Sequence, residues 1–180
     1  MSAQATVPRA ASLIRDFVNT RDVEGGTDEL STVGGLVDWC DGAGLLQAPS
    51  EASEDDRLLA VDVREALRAA LLAHHDGEEP AEPDLEGLAA ALPLRLTFPT
   101  GGPRLRPVDS GIRGALAQLV ASVHEAVADG SWSRLKACPS DTCTWAFYDS
   151  SRNRSRTWCS MQVCGNRAKG RTFRERHADD

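Results

Sequence analysis

Four cysteines, Cys138, Cys143, Cys159 and Cys164, are confined to 27 positions near the end of this 180-residue chain. They run as Cys-x4-Cys, fifteen intervening residues, then Cys-x4-Cys. Thiolates are soft metal ligands, and two short loops that each carry a pair can set four sulfurs at tetrahedral corners about 2.3 Å from one Zn2+. Four protein ligands leave no coordination position for water or substrate, so the expected cofactor is one structural zinc rather than a catalytic ion. The competing reading is a pair of disulfides, which suits small exported domains. The chain has no charged-then-apolar leader and no apolar run of about 18 residues, so a cytoplasmic, reducing setting is expected, and that favours metal. Cys40, beside Trp39 in an apolar stretch, reads as a small buried hydrophobe.

Charge and aromatic content change around the same cysteines. Residues 1–130 hold ten Arg, no Lys and 22 acids, a net of −12, whereas residues 131–180 are net +5; together they make the −7 of the whole chain. Six of the nine aromatic residues, among them Trp132, Trp145, Phe147 and Trp158, fall after residue 130, where a unit of about 45 residues needs both an ion and large side chains to fold. Four thiolates around Zn2+ leave a charge of about −2, which some cations would neutralise. The cations exceed that need, and a polyanion partner, most simply DNA, is expected. In the loop after Ser150 the candidate contacts are Arg152, Asn153, Arg154 and Arg156, a pattern suited to phosphate contacts. After Cys164 they are Asn166, Arg167, Lys169, Arg171, Arg174 and Arg176; Arg167, Arg171 and Arg174 recur at helical spacing, and Gly170 weakens that helix by about 1 kcal/mol.

Several runs here resemble the CGNR zinc-finger family: Arg134-Leu135-Lys136-Ala137-Cys138, Trp145-Ala146-Phe147-Tyr148-Asp149, Ser151-Arg152-Asn153, Arg156-Thr157-Trp158-Cys159-Ser160-Met161 and Cys164-Gly165-Asn166-Arg167-Ala168-Lys169. The resemblance implies a C-terminal four-cysteine zinc finger of treble-clef or zinc-ribbon type, the four cysteines as its ligands, and a role in transcription regulation. The position before Trp145, often Gly in that family, is Thr144 here, which bears on a turn and not on the ligands. Near the start, Asp16-Phe17-Val18-Asn19-Thr20 resembles the opening of the ABATE-like domain that commonly precedes such fingers and is associated with stress-induced transcription regulation. That likeness extends over Leu30 to Leu46 and Val63 to Leu72.

The elements that must position these residues read as follows. Leu13, Ile14, Phe17 and Val18 make one face of a helix that ends near Asn19-Thr20. A second helix starts after Ser31 or Thr32 and stops at Gly42 and Gly44. A longer one is capped by Ser53, has Glu54, Asp55 and Asp56 in its first turn, and has an inner stripe running from Leu58 to Leu71. His74 and His75 close it ahead of an acidic linker to Pro83 and read as capping or solvent-facing side chains. Asp84 caps a short helix, Leu94 to Phe98 alternates as a strand, and Leu105 with Val108 allows a second strand and a hairpin. Ser110 caps a last helix, Gly111 to Asp129, whose buried face includes Ile112, Leu116, Leu119 and Val127.

The expected architecture is α+β, mainly α: an acidic helical regulatory domain over residues 11–130 with one small hairpin, then a finger over residues 131–177. No phosphate loop, paired metal-binding His motif or nucleophile elbow is present, and a closed thiolate site cannot activate water, so an enzyme is not expected. The leading reading is a zinc-dependent DNA-binding transcription regulator, and the alternative is an RNA-binding or protein-interaction module built on the same finger. Arg15, Asn19 and Thr20, side by side on the first helix, are candidates for binding an anionic or hydrogen-bonding effector. One finger makes a small DNA interface, which favours a homodimer.

Overall fold

Residues 6–76 and 85–176 are described by the structure, a computed structural model. The expected acidic linker from residue 77 onward, the cap at Asp84 and the terminal His177 lie outside the described residues. Helix α1 (Arg9–Val18) buries Ile14, Phe17 and Val18 completely, as their i, i+3, i+4 spacing requires. A hairpin of two-residue strands follows, β1 (Arg21–Asp22) with β2 (Thr27–Asp28), too short to leave an alternating pattern in the sequence. Helix α2 (Val33–Gly42) opens with the Thr32 hydroxyl accepting from the Gly35 N–H at 3.0 Å and buries Leu36 and Cys40. Burial pushes the Cys40 thiol up to about 12.

Helix α3 (Glu54–Asp76) begins with a reciprocal cap: Ser53 Oγ accepts from the Asp56 N–H, and the Asp56 carboxylate accepts from the Ser53 N–H. After α4 (Leu85–Ala90), strands β3 (Leu94–Thr97) and β4 (Arg104–Pro107) pair antiparallel as the expected hairpin, and α5 (Gly111–Ala128) follows. The Ser110 hydroxyl makes no capping bond to α5. Helix α1 packs against α5 and α3, and their facing Phe17, Leu67, Leu71, Leu116 and Leu119 form the centre of the core. Leu58 and Val127, placed on inner stripes by spacing, are exposed; each lies within two turns of an end of its helix.

The last segment holds hairpin β5 (Leu135–Ala137) with β6 (Ala146–Tyr148), a wide π-type turn over Met161–Gly165, and α6 (Asn166–Arg176). This is a mainly helical α+β fold with small antiparallel hairpins and a four-cysteine finger at the C-terminal end. Leu135, Ala137 and Ala146 belong to the same apolar cluster as α1, α3 and α5, so the finger's hairpin is seated in the helical core. His74 reaches that hairpin as well: its Nδ1 lies 2.9 Å from the Leu135 carbonyl, and its ring meets Trp132 edge-on. Burial holds the His74 imidazole below its ordinary range, in keeping with a neutral ring donating from Nδ1.

Two arginines on α3 occupy positions that an apolar stripe would normally fill. Arg64, 1% exposed, forks onto Asp28 at 2.6 and 3.0 Å and donates to Thr20 Oγ1 and Glu65. Arg68 donates to the carbonyls of Val18 and Thr144 at 2.7 and 2.8 Å, which joins α1, α3 and the cysteine loop in one network. Thr144 has φ +52°, the left-handed region that favours glycine, and Arg68 also donates to its hydroxyl. Removing Arg68 strands the buried Val18 carbonyl and the half-buried Thr144 carbonyl and leaves Glu65 with less compensation. Arg68→Met is therefore expected to lower unfolding free energy by about 2–4 kcal/mol in chemical denaturation, whereas Arg113→Ala, which breaks the exposed pair with Asp56, costs less than about 1 kcal/mol. Equal losses in the two variants would contradict the coupling role given to Arg68.

Candidate metal centre and basic surface

Hairpin β5–β6 carries Cys138 just past its first strand and Cys143 just before its second, so the connecting loop turns both thiols to one side. Cys159 precedes the π-type turn and Cys164 lies within it, with Ser160 Oγ accepting from the Val163 N–H to fix the entry. The four Sγ atoms all lie within 4.8 Å of one another; Cys143 to Cys159 is 3.5 Å and Cys159 to Cys164 is 3.7 Å. Sulfurs bound 2.3 Å from one tetrahedral Zn2+ would be about 3.8 Å apart. The spacing fits a metal centre, and all four cysteines are free thiols rather than disulfide partners.

The electrostatics point the same way. Burial opposes ionisation of Cys138, but N–H groups of Cys159 and Ser140 and the neighbouring thiols donate to its sulfur and hold it below its ordinary value. Burial first, then the adjoining sulfurs, pushes Cys159 far above the thiol range and Cys164 to about 11. Such a cluster accommodates a thiolate at Cys138 readily, and a divalent cation among the sulfurs would favour ionisation of Cys159 and Cys164. These four cysteines form a zinc-binding site, and the bound ion would supply a cross-link between hairpin and helix.

Beside this centre lies a buried ion pair that spacing alone did not single out. Asp149 is fully buried; its Oδ2 accepts from Lys136 Nζ and the Arg156 N–H, both at 2.9 Å, and its Oδ1 accepts from the Ser151 N–H at 2.9 Å. Lys136 Nζ also donates to the carbonyls of Arg154 at 2.6 Å and Arg156 at 3.3 Å. Burial would raise the Asp149 carboxyl, but bonds from Ser151, Lys136 and Arg156 outweigh it and hold it at about 2. Together the pair gathers the loop 150–156 around two opposite charges. Both residues stand inside the runs Arg134–Cys138 and Trp145–Asp149; the signal available in sequence was a Lys within one apolar strand and an Asp directly after the other.

Nine of the ten cationic and amide candidates fall into two groups. Arg152, Asn153, Lys169, Arg171 and Arg174 are exposed, and the four charged ones have no side-chain partner among the described residues. Arg154, Arg156, Asn166 and Arg167 are held internally. Arg156 donates to the carbonyls of Trp158 and Cys159 and lies 4.8 Å over the Phe147 ring, Arg154 donates to Ser133 Oγ, and Asn166 donates to the Gln162 carbonyl. Arg167 pairs with Glu24 of the β1–β2 turn at 2.6 Å. The side chain of Arg176 lies outside the described residues. Of the effector candidates, Asn19 makes a two-bond clasp on β6, with Nδ2 to the Ala146 carbonyl at 3.0 Å and the Ala146 N–H to Oδ1 at 2.7 Å. Buried Thr20 bonds to Phe17 and Arg64, while Arg15 pairs with Asp16 at the edge of an open groove that also includes Trp145.

Asp149→Asn leaves Lys136 buried without a counter-charge and is expected to destabilise the fold by about 3–5 kcal/mol at pH 7. Because the folded carboxyl lies below its ordinary 3.8, its contribution is complete above that value and is lost as pH falls through about 2. Chemical denaturation of wild type and variant at pH 7 checks this, and a loss under about 1 kcal/mol would contradict it. Cys159→Ser is expected to remove bound zinc from the purified chain, measured by elemental analysis; full zinc content would overturn the ligand set.

Residues 134–177 match the CGNR zinc finger family, and residues 11–130 match the ABATE family, whose description reads "Putative stress-induced transcription regulator". No curated protein matches the chain. With the two matches in succession and the four-sulfur centre inside the second, the chain belongs to the ABATE family and carries a C-terminal CGNR zinc finger.

Proposed function

We propose that this protein is a zinc-dependent transcription regulator that binds duplex DNA through the finger. The observation that carries the reading is the set of exposed cations without a partner among the described residues: Arg152 on the loop 150–156, and Lys169, Arg171 and Arg174 on α6. Arg152 sits on a loop held by the Lys136–Asp149 pair, and α6 continues directly from the turn that carries Cys164, so the backbone under these cations is ordered in the free chain. Pre-organisation of this kind lowers the entropy cost of binding a phosphate array. An α-helix rimmed by arginines also suits a major groove, where guanidinium groups bond to guanine edges. Family membership supports the regulatory part of the reading, and a response to stress would enter through the N-terminal segment.

Four neutralised phosphates give a dependence of log affinity on log salt of roughly −3 to −4. Arg171→Ala is expected to weaken binding by about 1–3 kcal/mol and to reduce that slope by about 1, measured by fluorescence anisotropy with labelled duplex. Unchanged affinity and slope would contradict a DNA contact at Arg171. Preference for single-stranded RNA at matched salt would favour the RNA-binding alternative instead. In α6, Gly170 has open space around it, so Gly170→Ala is expected to stabilise the finger by about 0.5–1 kcal/mol without loss of DNA affinity. A lower melting temperature in that variant would show that the helix is not continuous there.

A further inference from the structure

Ten arginines fall in residues 1–130, against 22 acids. Six of them, Arg15, Arg21, Arg57, Arg64, Arg68 and Arg113, lie against a carboxylate. Among the described residues Arg9, Arg95, Arg104 and Arg106 have no such partner, and the last three share one short hairpin. The register sets Arg95 opposite Arg106 and Thr97 opposite Arg104, which puts all four side chains on the same face of β3–β4. Like charges directly opposed across a ladder destabilise it. In a segment with twice as many acids as bases, three bunched cations with no ion pair among the described residues offer a site for a counter-charge.

The same face borders an open cavity of about 980 Å³. Arg95, Thr97 and Arg106 form its hairpin wall, and Gln47, Ser50 and Gln118 line the loop and helix opposite. Glu51 and Asp109 also border it, and their carboxylates can accept from a hydrogen-bond donor on a ligand. We infer that this cavity binds a small-molecule oxyanion, a phosphate or carboxylate compound held between Arg95 and Arg106, with a hydrogen-bond donor at its other end. Paired guanidinium groups suit both chemistries because each presents a planar fork of donors to two oxygens. The site shares no residue with the finger, so its test and that of DNA binding fail separately.

The test is a titration of the full zinc-loaded chain, 15N-labelled, with pyrophosphate and separately with succinate, following backbone amide shifts. Saturable shifts over 95–97 and 104–107 are expected with at least one probe. Saturation by pyrophosphate alone assigns a phosphate ligand, and by succinate alone a carboxylate. Arg95→Gln combined with Arg106→Gln is expected to weaken that binding by roughly tenfold or more, whereas Arg171→Ala leaves it unchanged. If the double variant does not fold, Arg106→Gln alone is expected to weaken binding by roughly fivefold. Shifts confined to 150–176, no saturation with either probe, or equal affinity in the glutamine variants would overturn the site.

Discussion

A segment of about 45 residues cannot remove enough apolar surface from water to fold by itself. In this protein that constraint is met twice over. Four sulfurs gathered within 4.8 Å supply a metal cross-link, and the hairpin carrying two of them contributes Leu135, Ala137 and Ala146 to the core beneath α1 and α3. Arg68 and Asn19 secure that seat with hydrogen bonds to Thr144 and Ala146, on either side of Trp145. The geometry of the metal loop is therefore set partly by the sulfurs and partly by the helices under it.

That arrangement explains how an acidic chain keeps a cationic surface without collapse of one onto the other. Most arginines before residue 130 are matched by carboxylates close at hand, and Arg64 is buried only because Asp28, Thr20 and Glu65 satisfy its donors. In the finger, by contrast, Lys136 and Asp149 neutralise each other internally, so the exposed guanidinium groups nearby are not needed to balance a buried charge. Arg167 is the exception, bonded across to Glu24, and it links the family's signature motif to the β1–β2 turn. Cations that build the finger, Arg154, Arg156 and Arg167, lie between cations that face solvent, Arg152 on one side and Lys169, Arg171 and Arg174 on the other.

Much of this was legible in sequence, and the parts that were not share a cause. Ligand identity followed from cysteine spacing because a tetrahedral centre tolerates few loop lengths. Helices α1, α2, α3 and α5 followed from apolar period and from caps at Thr32 and Ser53. Buried polar residues were invisible to the same reasoning: Arg64, Arg68, Lys136 and Asp149 look like surface charge until the partners that desolvate them are known. Asn19 shows the same effect, since its role depends on Ala146, far along the chain. Left-handed backbone at Thr144 accounts for the glycine that the resembled family often places there.

The claim that binds these observations is that the metal centre and the helices share one core. Hydrogen exchange of backbone amides before and after stripping zinc with a chelator tests it most directly. If the core is shared, protection falls not only over 138–164 but also at the end of α1, around Val18 and Asn19, and along α3 near Arg68 and His74. Unchanged protection in α1 and α3, with loss restricted to the finger, would contradict it.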